Sequence, residues 1–292
     1  MKKSLFLFVV VAATMVLASC EKYISEVLNI GLALCDSDET FTAYVETADM
    51  TRTSLVDNGY LCRGLKWTCG DKISVSDGKT VSVYRTVSDG ESNATFCLYE
   101  GCELTKAETY TAFYPSTLSK NNQKLPAVQN YISDNVENFP MMAVSANREL
   151  MFKNLCGIIC LNLKAETSAV SKVSRIVLSS PDKGLSGEFT VSNDAAVVCG
   201  TSDVALECAT PVSLNSTAAT SFNVIVPKGC YYPLYVTIVD SDGNEAEMVS
   251  DAVVQVDRSG MTRLNIILKD TSFDSGLEVI PVTDSDVDFS ER

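Results

Sequence analysis

Along most of this chain, apolar residues alternate with polar ones in short runs separated by turn-forming residues. Successive side chains on a strand point to opposite faces, so this period-2 pattern predicts half-buried β-strands rather than helices. Ile73 and Val75 alternate into Asp77-Gly78, and Val81 and Val83 follow, which predicts a hairpin. Tyr110, Ala112 and Tyr114 alternate up to Pro115; a polar loop from Ser116 to Lys124 comes next, with Asn121-Asn122 near its tip. The second half is more regular. Ile159, Leu161 and Leu163 share a face, as do Ile176 and Leu178. Phe222, Val224 and Val226 form another such row before Pro227, and Leu234, Val236 and Ile238 run into a turn at Asp240 to Asn244. Leu264, Ile266 and Leu268 make the last convincing strand, with Arg263, Asn265 and Lys269 outward.

Many short strands and no long helical stripe predict an all-β chain built from antiparallel β-sandwiches. Length suggests two of them, 41–147 and 148–270, divided near Val144 to Leu150. An acidic tail, 271–292, carries Asp284, Asp286, Asp288 and Glu291.

The first nineteen residues break the pattern. Lys2 and Lys3 precede an apolar run from Leu5 to Leu17 that one Thr interrupts, and Leu17-Ala18-Ser19-Cys20 resembles a bacterial lipobox. The run is short for a permanent span and ends in small residues, so 1–19 reads as a cleaved lipoprotein signal peptide. Cys20 is then the lipidation site and the mature N-terminus, and 20–40 is a leader in which Ile24 to Leu34 fits a short helix or an extended tether. Two or three acyl chains, at ~0.8 kcal/mol per buried CH2, would hold the protein firmly to a membrane. The expected place is the outer membrane and cell surface.

The formal charge is −14, and loss of Lys2 and Lys3 makes it more negative still. Such a surface repels phosphate backbones and argues against nucleic-acid binding. There is no histidine, so Ser-His-Asp and Cys-His catalysis and His-ligated zinc are excluded. Ser76-Asp77-Gly78-Lys79 matches a Ser-x-x-Lys pattern, but Asp-Gly between strand-like runs reads as a hairpin turn. Asp240-Ser-Asp-Gly-Asn244 resembles the start of a calcium loop, yet its flanks are strands and it too reads as a turn. No enzyme, no metal and no cofactor are expected. Of the eleven cysteines, ten remain after Cys20, none in a CxxC pair. Cys156 and Cys160 on one strand would lie ~13 Å apart, too far to bridge, and mostly free, half-buried thiols are favoured. Trp67, the single tryptophan, reads as a core anchor opening the first hairpin, with a sugar-stacking platform as the other reading.

One ordered series of motifs remains. Thr51-Arg52-Thr53-Ser54-Leu55 leads to Trp67 and Gly70-Asp71-x-Ile73-x-Val75. Phe96, Tyr110-Thr-Ala-Phe-Tyr-Pro115, Leu125-Pro126 and Gln129 come next, then Pro140-Met141-Met142-Ala143 and Phe152-Lys-Asn-Leu-Cys-Gly157. Leu185-Ser-Gly187, Val226-Pro227 and Asp242-Gly243 complete it. With the lipobox, this order resembles the fimbrillin family, the Mfa-like pilus-subunit lipoproteins of Bacteroidales-type bacteria. The resemblance implies two transthyretin-like β-sandwich domains and export as a lipoprotein precursor. It also implies removal of the leader with the first strand by a trypsin-like protease, and filling of the groove by a strand from a neighbouring subunit. Arg52 is the basic residue best placed for that cut, after the candidate strand Phe41 to Val45; it also reads as an exposed cation in a turn or strand edge.

The function so implied is a structural, non-enzymatic subunit (shaft, tip or anchor) of a cell-surface fimbrium, possessing an adhesive role in some readings. Its partners would be other pilus subunits, by strand complementation, and the outer membrane through lipid on Cys20. The alternative is a solitary surface lipoprotein that binds a glycan or a host protein. A carboxylate-based glycosidase fits least, since no paired acidic motif stands out.

Overall fold

In a computed structural model of the chain, residues 40–46, 66–86, 92–167, 172–273 and 276–282 are described. They form twenty-one strands and one 3-10 turn, Asp270–Phe273. The first nine strands are β1 (Phe41–Val45), β2 (Lys72–Ser76), β3 (Val81–Thr86), β4 (Asn93–Glu100), β5 (Tyr110–Tyr114), β6 (Lys124–Leu125), β7 (Val128–Asn130), β8 (Met141–Ser145) and β9 (Glu149–Asn154). Next come β10 (Cys156–Ala165), β11 (Lys172–Ser179), β12 (Gly187–Ser192), β13 (Ala195–Val198), β14 (Val204–Ser213) and β15 (Thr220–Pro227). The series ends with β16 (Gly229–Tyr231), β17 (Tyr235–Asp240), β18 (Glu245–Ser250), β19 (Val254–Val256), β20 (Met261–Leu268) and β21 (Glu278–Ile280). The all-β expectation holds.

Two hydrophobic cores organise these strands. Around the first, seven strands close into a barrel in the order β1-β4-β3-β2-β5-β8-β9, and β1 completes the ring by pairing antiparallel with β4 and parallel with β9. Around the second, the three-stranded sheet β15-β10-β20 faces the six-stranded sheet β21-β18-β17-β11-β14-β7. The rows anticipated from alternation are here: Ile159, Leu161 and Leu163, Phe222, Val224 and Val226, Val236 and Ile238, and Leu264, Ile266 and Leu268 all enter the second core.

Strand β10 joins the cores. Its odd-numbered residues 159, 161 and 163 face the second, while Cys156, Ile158 and Cys160 face the first. A strand covered on both sides reads as a continuous apolar run, which Cys156–Leu161 is. Chain crossings bind the halves further. From the first half, β6 pairs with β12 and β7 with β14. From the second, Phe189 and Ala196 enter the first core. Strand β9, just past position 148, belongs to the barrel; Leu155 and Cys156 still face the first core, and the first buried residue of the second is Ile159.

The first hairpin forms where alternation puts it, but the inward face of its return strand is Ser82, Tyr84 and Thr86, with Val81 and Val83 directed outward. Register decides this: Ile73 lies opposite Tyr84 and Val75 opposite Ser82, and directly opposed residues share a face.

Candidate functional site: the seat of the first strand

Strand β1 is short, yet its alternate residues Phe41, Ala43 and Val45 are almost wholly buried. Register places Phe41 against Phe96 and Ala43 against Ala94 on β4, and Ala43 against Leu150 and Val45 against Phe152 on β9. The Phe41 ring meets Tyr84 and Tyr110 edge-on at 4.8 and 5.2 Å between centroids, and the Arg148 guanidinium lies over it at 4.9 Å. Around the strand ends, Thr42 N–H donates to Arg148 O (2.9 Å), Val45 N–H to Ser92 O (2.9 Å) and Glu46 N–H to Phe152 O (3.0 Å).

Trp67 fixes the middle of the strand from inside. It is 1% exposed, and its indole Nε1–H donates to Ala43 O at 3.1 Å. Its ring packs edge-on against Phe96, Tyr114 and Phe152, with centroids 4.9 to 5.5 Å away. A buried indole cannot stack on a sugar from solvent, so the core-anchor reading stands. Tyr114 in turn donates its O–H to Asp71 Oδ1 (3.1 Å); burial first, then the Asp71 charge, pushes its pKa up.

The far end of β1 is clamped by the second half of the chain. Glu46 Oε2 and Oε1 accept from Arg258 Nη1 and Nη2 at 2.6 and 3.0 Å, a bidentate pair whose side chains are only 9% and 21% exposed. Asn154 N–H (3.2 Å) and the Ser259 hydroxyl (3.3 Å) also donate to Glu46 Oε2, and Arg258 Nη1 donates to Asn154 O (3.1 Å). The hydrogen bond to Glu46 raises the Arg258 pKa above its ordinary value.

Gly157 explains how Arg258 reaches this place. The turn between β19 and β20 lies flat on β10: Ile158 N–H donates to Gly260 O and Ser259 N–H to Cys156 O, both at 2.9 Å. A Cβ on Gly157 would stand 2.3 Å from Asp257 O, so only glycine lets the turn approach.

The other motifs are structural. Asp77 caps the β2–β3 turn: its Oδ1 accepts from Lys79 N–H (2.9 Å) and Thr80 N–H (2.8 Å), and its Oδ2 from the Thr105 hydroxyl (2.9 Å). Ser76 Oγ accepts Gly78 N–H at 3.1 Å, so the Ser-x-x-Lys pattern is a hairpin. Asp240 Oδ1 accepts Asp242 N–H and Asn244 N–H at 2.8 and 2.9 Å, and its Oδ2 accepts Asn244 Nδ2 at 2.8 Å. Its carboxylate is spent within the loop, and although burial opposes it, these bonds keep the Asp240 pKa low. Among the described residues no three His, Cys, Asp or Glu converge as metal ligands, and no helix is long and apolar enough to cross a membrane. Cys69, Cys102, Cys156, Cys160, Cys199, Cys208 and Cys230 form no disulfide, whereas Cys97 is disulfide-bonded. Cys20 and Arg52 lie outside the described residues. Arg258 and Ser259 carried no signal in the sequence, and Asn154 only its place in the Phe152-Lys-Asn-Leu-Cys-Gly157 motif.

No protein-family model matches the chain, and no curated protein matches it. Solved structures do. A candidate cell adhesion protein from Bacteroides ovatus aligns over 79% of this chain and 92% of its own, at 16% identity and TM-score 0.49. The C-terminally truncated tip fimbrial protein Mfa3 from Porphyromonas gingivalis aligns over 79% of this chain and 96% of its own, at 9% identity and TM-score 0.33. A fimbrial assembly protein from Parabacteroides distasonis aligns over 80% and 92%, at 9% identity and TM-score 0.36. The structures this chain is similar to are thus fimbrial and candidate cell adhesion proteins of Bacteroidales, at low sequence identity.

Proposed function

We propose that this chain is a structural, non-enzymatic subunit of a cell-surface fimbrium, assembled by strand exchange at the seat of β1. The observation that carries the reading is the seat itself. One short strand at the N-terminal side of the barrel fills a slot lined by Tyr84, Phe96, Tyr110, Leu150 and Phe152, and hydrogen-bonds along both edges. Without it, β4 and β9 would each present unpaired N–H and C=O groups beside bare apolar surface, and an extended segment of another chain would repair both. A contact of that kind, repeated head to tail, builds a fibre rather than a closed oligomer.

In this reading 1–19 is the signal peptide, Cys20 carries lipid to the outer membrane, and 20–40 is the tether. Arg52 follows Glu46 by six positions, so cleavage there severs β1 and the lipid together from the rest. The sequence series that resembles the fimbrillin family supports the same assignment. An adhesive role would be additional to the structural one.

The test is assembly in vitro. Mature protein treated with trypsin at low dose is expected to give ladders that resist SDS without boiling, its new N-terminus following Arg52. Arg52→Ala should abolish them. A synthetic peptide spanning β1, added in excess to cleaved protein, should stop growth. Cleaved protein that stays monomeric, or ladders unaffected by Arg52→Ala, would overturn the proposal.

A further inference from the structure

Cys97 sits on β4, one of the two strands that β1 pairs with, and it is disulfide-bonded. Eight cysteines lie among the described residues, and the other seven form no disulfide. The partner of Cys97 is therefore Cys20, Cys35 or Cys62, and lipid takes Cys20 in the reading above. Two remain, one on each side of Arg52, and which of them bonds decides what a cut there releases.

Position separates the two. On β4, Ala94 and Phe96 are buried and Leu98 packs against the first core, so Cys97 points to the outer face of the barrel. Phe41 lies opposite Phe96, and one further step of that antiparallel register sets Thr40 level with Cys97. Such neighbours have Cα atoms about 4.5–5.5 Å apart, within the roughly 4.4–6.8 Å that a disulfide spans. Cys35 precedes Thr40 by five residues, a reach of about 17 Å when extended. It needs only to turn back over Asp36-Ser37-Asp38-Glu39, and Asp and Ser are turn-formers. Cys62 precedes Trp67 by the same five residues, but Trp67 is 1% exposed and packs on Phe96 with 4.9 Å between centroids. Trp67 thus enters on the opposite side of β4 from the Cys97 sulfur.

We infer that Cys35 and Cys97 form a latch that keeps β1 and the leader covalently on β4 after the chain is cut at Arg52. The bond stands on the cysteines alone; its consequence for assembly rests on the strand-exchange reading. With the latch closed, the severed piece cannot diffuse away. Only Asp36 to Thr40 separate the bond from β1, and so short a tether holds the strand at an effective concentration on the order of millimolar. An incoming segment at micromolar concentration competes at a disadvantage, and exchange is slow until the bond opens. A dithiol opens it. One thiolate attacks a sulfur of the pair, the S–S bond breaks and a mixed disulfide forms; the second thiolate then displaces the remaining protein sulfur. The dithiol ends as a disulfide, and Cys35 and Cys97 end as thiols.

The experiment is a peptide map of the mature protein, its free thiols blocked before unfolding, digested fully with trypsin without reductant. Cuts after Lys22, Arg52, Arg63, Arg85 and Lys106 put Cys35 in 23–52, Cys62 in 53–63 and Cys97 with Cys102 in 86–106. A joined pair of 23–52 and 86–106 is expected, with fragmentation placing the bond on Cys97. In a second arm, limited trypsin cuts native protein at Arg52. The piece that ends there should stay with the body on a non-reducing SDS gel and separate with dithiothreitol. Cys35→Ser should separate without reductant, and its ladders should grow about tenfold or more faster than those of unreduced wild type. Joining of 53–63 to 86–106, no joined peptide, separation of the unreduced wild type, or equal ladder growth with and without the bond would overturn the latch. Absence of ladders from every sample, with 23–52 and 86–106 joined, would instead refute strand exchange and leave the bond standing.

Discussion

Arg258→Met removes the residue that holds the end of β1, and the structure sets what that costs. Glu46 loses both guanidinium bonds, at 2.6 and 3.0 Å, and keeps only the longer ones from Asn154 N–H and Ser259 at 3.2 and 3.3 Å. Stranding one charge of a fully buried pair costs about 3–5 kcal/mol. Glu46 retains two donors and Arg258 is partly exposed, so the low end applies, about 3 kcal/mol. With a urea slope of about 3 kcal/mol/M, the midpoint falls by about 1 M. Trp67 is the single tryptophan and donates to Ala43 O, so its fluorescence follows the seat of β1 directly. The double variant Glu46→Leu with Arg258→Met removes both charges, and an apolar replacement of a buried pair is often near neutral. It should recover most of the loss, a coupling of about 2 kcal/mol. An unchanged midpoint in Arg258→Met, or a double variant as unstable as the sum of both single changes, would refute the claim that this pair seats the strand.

Three further outcomes can be measured. Gly157→Ala should destabilise by about 3 kcal/mol, the upper end for overpacking, since its Cβ would meet Asp257 O at 2.3 Å. Combined with Arg258→Met in urea melts, it should cost less than the sum, because lifting the turn already breaks the clamp. Asp77 should titrate by carbon-13 NMR at about 2, below its ordinary 3.8, because the Thr80 and Lys79 N–H groups hold the carboxylate. The folded value is the lower one, so the stability it contributes is whole above 3.8 and is lost as pH falls toward 2. Site-resolved alkylation at pH 8 should label the exposed Cys102, Cys199 and Cys230 first. Cys208, pushed up to about 11 by burial and then by Glu207, should lag, and the buried Cys156 and Cys160 should resist until urea unfolds the chain.

Much of the fold was legible because one face of most strands is apolar and the other wet. Leu264, Ile266 and Leu268 announce both the strand and its buried side, and the second core is where this held best. The first hairpin shows where the signal misleads. Ser82 is 1% exposed, yet Val81 is more apolar and faces out. Ser82 can be inside because its hydroxyl donates to Cys102 O and accepts Cys102 N–H, at 2.6 and 3.2 Å. A satisfied hydroxyl behaves as a small core residue, and hydropathy cannot see the partner that satisfies it. Trp67 was readable as an anchor from its position before Gly70-Asp71, but its bond to Ala43 O, 24 positions away, was not.

The clamp lies beyond any local reading, since Glu46 and Arg258 are 212 positions apart. Each looks ordinary alone, a carboxylate after a strand and a cation in a turn. What joins them is a chain of short-range necessities: Gly157 admits the turn, the turn bonds to Cys156 and Ile158, and Arg258 is thereby held over the end of β9, where Glu46 leaves β1. The same geometry bears on function. If β1 is to be exchanged, whatever replaces it meets Arg258, Asn154 and Ser259 at the same spot, three donors that lose the Glu46 carboxylate, with only Asn154 O left to the guanidinium. An incoming strand that ends in a carboxylate one residue past its last buried side chain would satisfy all three, and one lacking it would leave the guanidinium without a counter-charge. The proposed exchange therefore carries a chemical selectivity: peptides of the β1 sequence with Glu46→Gln should bind cleaved protein about tenfold or more weakly than those with Glu, the loss of a charge-assisted bond, and equal binding would show that Arg258 plays no part in choosing the strand.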